Sequence, residues 1–159
     1  MIEKKRIFIG ADHGGFALKE TLVSWLGEQG HEVCDFGTHS SSAVDYPDFA
    51  FLVAKAVAST APGDGQTFGV MIDSIGQASA IVCNKVPGIR AVAGYDDFAV
   101  RSSREHNDAN VLCLGGQMLG PGLAKSLLKA WLSTPYAGGR HQTRVDKIAN
   151  VECHYVRKG

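Results

Sequence analysis

Five times along the chain a short apolar run is followed by a stretch in which apolar residues return at helical spacing. The run Arg6-Ile-Phe-Ile-Gly10 breaks off at the polar turn Ala11-Asp12-His13-Gly14-Gly15 and reads as a buried strand. From Phe16 to Gln29 the apolar positions Phe16, Leu18, Leu22, Val23, Trp25 and Leu26 mark one helix, with Gly30 as its stop. His31–Phe36 is a second strand closed by Gly37, and a Ser-rich loop over 38–44 follows. Asp45-Tyr46-Pro47-Asp48 opens a helix to about Ser59, its proline placed early where a missing N–H costs nothing. Ala61-Pro62-Gly63-Asp64-Gly65 reads as a turn.

The third strand, Phe68 to Asp73, has the short, partly β-branched character of a strand buried on both faces. Gly76 then allows a tight turn, and a helix runs from Gln77 to about Lys85, where Pro87-Gly88 ends it. Ile89–Gly94 and Asn110–Leu114 are the fourth and fifth strands, separated by a helix over Asp96–Glu105 whose acidic first turn complements its dipole. Pro121–Leu132 is the last clear helix, and a basic tail follows Gly138-Gly139. Five βα units with short connections predict an α/β protein: a three-layer α/β/α, Rossmann-like arrangement of five parallel strands. The pattern leaves the strand order open. No repeat or linker divides the chain, so residues 1–148 form one domain and 149–159 a C-terminal tail.

Composition narrows the picture. Sixteen basic residues balance sixteen acidic ones, so no global field favours nucleic acid or an anionic membrane. Cys34, Cys83, Cys113 and Cys153 form no C-x-x-C pair, which suits a reducing compartment and argues against a structural zinc. The apolar run near the N-terminus is too short for a signal peptide, and no stretch is long enough for a membrane helix. The expectation is a soluble cytoplasmic protein, and no histidine pair or His/Asp cluster has the spacing of metal ligands. A Walker loop and a G-x-G-x-x-G fingerprint are both absent.

In open α/β sheets the ligand rim lies past the carboxyl ends of the strands. There the sequence places Asp12 and His13, Asp73 and Ser74, Tyr95 and Asp96, and Gly116 and Gln117. A rim with Asp12, His13 and Asp73, flanked by glycines, has the make-up of a proton-transfer site for a small polar ligand. For Asp73 two readings stand side by side: a group facing a ligand, or one that secures the start of the next helix, whose N–H groups could otherwise hold an anion. A second cluster, Arg104-Glu105-His106-Asn107-Asp108-Ala109-Asn110, precedes the fifth strand and so lies at the opposite rim. Its basic residues either complement a helix dipole or, in the case of His106, exchange protons near neutral pH. If His106 and Asp73 serve one site, two subunits must share it. Arg140 and Arg144, at i and i+4, either share a helix face that holds a phosphate or form a solvated basic tail. A phospho-acceptor signalling domain of the same general fold would want a hydroxyl and a lysine ending the fourth and fifth strands. Tyr95 and Gly116 stand there instead.

Residues 6 to about 148 resemble the family of ribose-5-phosphate isomerase type B and the galactose-6-phosphate isomerase subunits. The likeness rests on Gly10-Ala11-Asp12-His13-Gly14-Gly15-Phe16, Asp35-Phe36-Gly37-Thr38, Val44-Asp45-Tyr46-Pro47-Asp48, Asn84-Lys85-Val86-Pro87-Gly88-Ile89-Arg90, the His106 cluster and Gly138-Gly139-Arg140-His141. It implies a sheet of order 2-1-3-4-5 and a homodimer or homotetramer with shared active sites. It implies cofactor-free interconversion of aldose and ketose phosphates, by default ribose 5-phosphate and ribulose 5-phosphate. By position it also implies that Asp12 and His13 contact the sugar's ring-opening end or its phosphate, and that Tyr46 lines the pocket. His106 of a neighbouring subunit opens the furanose ring, Asn107 binds enediolate oxygens, and Arg140 and Arg144 grip the phosphate.

The chain departs from the family's usual Cys-Gly-Thr-Gly-x-Gly loop. Asp73 stands at the thiol position and Ile75 at the hydroxyl position. Gly76 is kept, and Ala78 takes the place of the last glycine. Ser79 occupies the position where a second branch carries a glutamate, and Gln117 one where members often carry a phosphate-binding arginine. The expectation is therefore Asp73 as base, with Ser74 or Ser79 as oxyanion donor. The Asp-x-x-Gly form also looks like the A subunit of galactose-6-phosphate isomerase. That keeps open a non-catalytic or half-site role beside a second homologous subunit, or an isomerase for a different phosphosugar.

Overall fold

The computed structural model describes residues 3–61 and 64–155. Five βα units follow one another: β1 (Arg6–Ala11), α1 (Phe16–Glu28), β2 (Glu32–Asp35), α2 (Tyr46–Ala58), β3 (Thr67–Asp73), α3 (Gln77–Cys83), β4 (Ala91–Ala93), α4 (Asp97–Glu105), β5 (Val111–Gly115) and α5 (Pro121–Ser133), with α6 (Arg140–Tyr155) added at the end. Every strand pairing is parallel. Of the turn expected over 61–65, residues 62–63 lie outside the described residues.

Alternation along the strands builds two cores. Ile7, Ile9, Val70, Ile72, Leu112 and Leu114 point to one face, where Leu22 and Leu26 of α1 and Leu127, Leu128 and Trp131 of α5 cover them. Met71, Val111 and Cys113 point to the other, under Val53, Ala54 and Val57 of α2 and Cys83 of α3. Three-layer packing follows directly, as expected.

The strand order is β2-β1-β3-β5-β4, so the expected 2-1-3-4-5 is corrected at one edge. Strand β5 is buried at all five positions, whereas β4 has three residues and only Ala91 is buried. The strand apolar on both faces takes the interior place beside β3, and the short Ala-Val-Ala strand takes the edge.

Gly69 shows how closely α2 rides on the sheet. A Cβ there would lie 2.9 Å from Val53 Cγ1 and 3.0 Å from both Val57 Cγ2 and Val111 Cγ2. Gly69→Ala should therefore cost about 1–3 kcal/mol through overpacking, read as a lower melting temperature with unchanged helix content.

The expected boundary at residue 149 falls inside α6, which continues unbroken to Tyr155. Both carboxylate oxygens of Glu152 accept the Gly88 N–H, at 2.9 and 3.0 Å, fastening this helix near β4. Only Val145 of α6 is buried, and Ile148, Val151 and Tyr155 are exposed.

Candidate active site in two halves

The first half lies at the carboxyl ends of β1 and β3. Asp12 follows β1, and its Oδ1 accepts the N–H groups of Gly14 (2.9 Å) and Gly15 (3.1 Å). Burial pushes its carboxyl above the usual carboxylate range; the charge of Asp73 acts in the same direction, against the two N–H groups and His13. His13 is exposed, and its Nδ1 lies 3.2 Å from the Val44 carbonyl oxygen. Tyr46, at the start of α2, packs half-buried against the second core.

The turn after β1 is braced from behind. Lys19, wholly buried, places its ammonium 2.6 Å from Asp35 Oδ2 and 2.7 Å from Glu20 Oε1. Asp35 Oδ1 accepts the Gly37 N–H at 2.8 Å, the Gly37 carbonyl accepts the Ala11 N–H at 2.7 Å, and the Ala11 carbonyl accepts the Thr38 N–H at 2.8 Å.

Asp73 ends β3 beside Asp12, but its surroundings differ. Oδ1 accepts the N–H groups of Ile75 (2.8 Å) and Gly76, while Oδ2 accepts the Ser79 N–H (2.9 Å) and the Ser79 hydroxyl (2.5 Å). A carboxylate offers about four acceptor positions, and all are taken. The reading in which Asp73 secures the start of the helix is the one found here. The N–H groups that might have held an anion go to Asp73, and Gly76 serves the turn at φ 93°.

Ser79 is likewise corrected as a substrate contact, because it is fully buried and its hydroxyl is given to Asp73. Ser74 stays available: among the described residues its hydroxyl has no hydrogen-bond partner, and it lies against Gly14. Gln117 is exposed, and its N–H donates to the Ser74 carbonyl at 3.0 Å.

The second half lies before β5. His106 ends α4, and its ring stacks on that of His141 at 4.3 Å between centroids, tilted by 14°. The Ser102 hydroxyl is 3.1 Å from His106 Nδ1, which leaves Nε2 pointing elsewhere. Burial, then the charges of His106, Arg140 and Arg144, lower the pKa of His141. Arg140 and Arg144 are exposed on α6 and, among the described residues, form no ion pair. Asn107, the residue after His106, is exposed, its carbonyl accepting Arg90 Nε at 2.9 Å. In the sequence His141 stands out only within the motif Gly138-Gly139-Arg140-His141. Its place one residue after Arg140 on a helix was the available signal, and nothing local pointed to the stack on His106.

Asp73 pairs with Gly115 and Gly69 with Val111, so the two halves stand at opposite ends of the sheet. Four residue steps of β-strand separate them by roughly 13 Å or more. One copy of the chain does not bring them together. A cleft of about 940 Å³ lined by Arg104, Arg90 and Tyr136 among others contains none of the expected site residues. Among the described residues no three His, Cys, Asp or Glu side chains are grouped to hold a metal ion, and no helix is long and apolar enough to cross a membrane.

Comparison with known proteins gives the two halves a context. The family model described as Ribose/Galactose Isomerase matches residues 7–148. Ribose-5-phosphate isomerase B of Escherichia coli (strain K12) is 46% identical over 148 residues, which is 93% of this chain and 97% of that protein. The ribose-5-phosphate isomerase B structure from Clostridium thermocellum matches with a TM-score of 0.90 at 46% identity, over 95% of this chain and 99% of that one. A structure of ribose-5-phosphate isomerase B from Mycoplasma genitalium with bound ribulose-5-phosphate matches with a TM-score of 0.88 at 35% identity, over 93% and 96% of the two chains.

Proposed function

This chain belongs to the ribose/galactose isomerase family, and from that membership and the two half-sites we propose that it interconverts an aldose phosphate and its ketose. Ribose 5-phosphate and ribulose 5-phosphate are the proposed pair, joined by a cis-enediolate. One observation carries the reading: paired carboxylates at one end of the sheet are matched by a stacked histidine and two unpaired arginines at the other. Two copies set end to end complete a site that neither holds alone. Ile148, Val151 and Tyr155, apolar and exposed on α6, favour such an association.

In the shared site Arg140 and Arg144 hold the phosphate, and His106 of the neighbouring copy gives a proton to the ring oxygen as the furanose opens. A rim carboxylate then moves a proton between C2 and C1, and the Ser74 hydroxyl donates to the oxyanion that develops. His13 and Tyr46 bound the sugar, Gly76 lets the loop approach it, and Asn107 and Gln117 reach its oxygens.

The purified chain alone should convert ribose 5-phosphate to ribulose 5-phosphate and incorporate solvent deuterium at C1 of the ketose and C2 of the aldose. Absence of both would remove the reading. Loss of a charge-assisted phosphate contact costs about 1.5–3 kcal/mol, or roughly 10–150-fold. Arg140→Ala and Arg144→Ala should each raise KM by that order and leave kcat much less changed.

A second reading is favoured by the replacement of the family's thiol with the fully hydrogen-bonded Asp73. In it the chain is a half-site subunit, and turnover appears only when a second homologous chain is added.

A further inference from the structure

We propose that Asp12, through its Oδ2 atom, is the base that carries the proton between C2 and C1, an inference that rests on the isomerase reading above. Asp96 caps α4 past the edge strand β4, two strands away from β3, and accepts the Ala99 N–H at 2.8 Å; the two carboxylates beside Ser74 are Asp12 and Asp73, and acceptor positions separate them. Asp73 has none left, because four donors occupy it. To take a carbon-bound proton it would have to release the start of α3 or the buried Ser79.

Asp12 divides its oxygens differently. Oδ1 is fixed by the Gly14 and Gly15 N–H groups, while Oδ2 has no hydrogen-bond or ion-pair partner among the described residues. Nor is Oδ2 sealed in the protein. Among the described residues, the fully buried side-chain atoms without a partner are Gln66 Oε1, Arg104 Nε and Tyr136 OH. Oδ2 therefore keeps some contact with solvent at the end of β1, even though the residue as a whole is only 6% exposed. The two N–H groups hold the carboxylate in one orientation, and burial raises its basicity.

The oxyanion donor is at hand. A Cβ built on Gly14 would lie 2.2 Å from Ser74 Oγ and 3.3 Å from Asp12 Oδ1, so hydroxyl and carboxylate flank the same spot.

The step balances. Oδ2 of the carboxylate takes the proton from C2 of the open aldose. The C–H electron pair becomes the C1–C2 double bond, and the carbonyl pair moves to O1, which accepts the hydrogen bond from Ser74. The O2 proton passes to O1. As O2 reforms a carbonyl at C2, the double-bond pair takes the proton from the Asp12 carboxylic acid onto C1. The carboxylate is regenerated, and the ketose has gained a hydrogen at C1 for the one lost at C2.

Asp12→Asn tests this, because the amide oxygen can keep both glycine N–H bonds while the NH₂ group replaces Oδ2. The variant should melt within a few degrees of the unchanged chain and bind ribitol 5-phosphate, which cannot enolise, within tenfold. At saturating ribose 5-phosphate it should lose both turnover and deuterium incorporation by more than a hundredfold. A smaller loss of incorporation overturns the assignment. Should the asparagine variant fail to fold, Asp12→Ser retains an acceptor for the same N–H groups and is read by the same hundredfold criterion. Asp73→Asn, measured in parallel, turns an NH₂ group toward the Ser79 N–H or toward those of Ile75 and Gly76. It should lower the melting temperature and retain more deuterium incorporation than Asp12→Asn; the reverse ranking in two folded variants also overturns the assignment. If the unchanged chain alone shows no turnover, the isomerase reading falls and this base with it. Turnover in the unchanged chain with a surviving Asp12→Asn removes only the base.

Discussion

Lys19→Ala should destabilise the protein by about 3–5 kcal/mol, which for a chain of this size lowers the melting temperature by roughly 6–20 °C. The ammonium of Lys19 is wholly buried and meets Asp35 at 2.6 Å and Glu20 at 2.7 Å. Glu20 reaches water by itself, but Asp35 is largely enclosed and would keep its charge with only the Gly37 N–H and, at 4.0 Å, the exposed ring of His39 beside it. The loss extends to the site: Asp35 holds the Gly37 N–H, and Gly37 in turn holds the end of β1 just before Asp12. A fall in kcat at temperatures where the variant is still folded should accompany the fall in stability.

The double variant Lys19→Met with Asp35→Asn removes both charges and should regain part of the lost stability, since an uncharged buried pair carries no unpaired ion. Thermal and urea unfolding of the single and the double variant measure this. A single-variant loss below about 1 kcal/mol would show that the ion pair does not organise the turn.

How far the sequence led depends on the kind of interaction involved. Strands such as Arg6–Ala11 and Thr67–Asp73 were legible because short apolar runs flanked by turn residues have few other ways to bury their backbone. The place of β5 inside the sheet was written in its five apolar or small residues against the three of β4. The expected order 2-1-3-4-5 passes over that contrast and is corrected at this edge. Residues beyond Gly139 looked like a tail because their helix buries only Val145, so its apolar periodicity has almost no counterpart in one copy of the chain.

The candidate site divides along the same line. Asp12, Asp73 and Ser74 were placed on one rim, and His106 opposite them, by counting strand ends. Which carboxylate is free depended on where N–H groups six residues along the chain would turn, as with Ser79 and Asp73. The His106–His141 stack joins residues 35 positions apart in sequence, one just past the end of α4 and one in the first turn of α6, and no local pattern encodes it.

The central claim is that two copies of this chain build each site together, and mixing inactive variants tests it most directly. One variant carries Asp12→Asn and His13→Ala, which disable the carboxyl-end half. The other carries His106→Ala, Arg140→Ala and Arg144→Ala, which disable the opposite half. Each should be inactive alone. In a symmetric dimer of mixed chains one site collects every lesion and the other collects none. Equal amounts, unfolded and refolded together, should therefore return about a quarter of the unmixed activity, because half the dimers are mixed and each has one sound site. Recovery near that level is the expected result. No recovery from folded chains that associate, or full activity from a dilute monomer, would contradict a shared site.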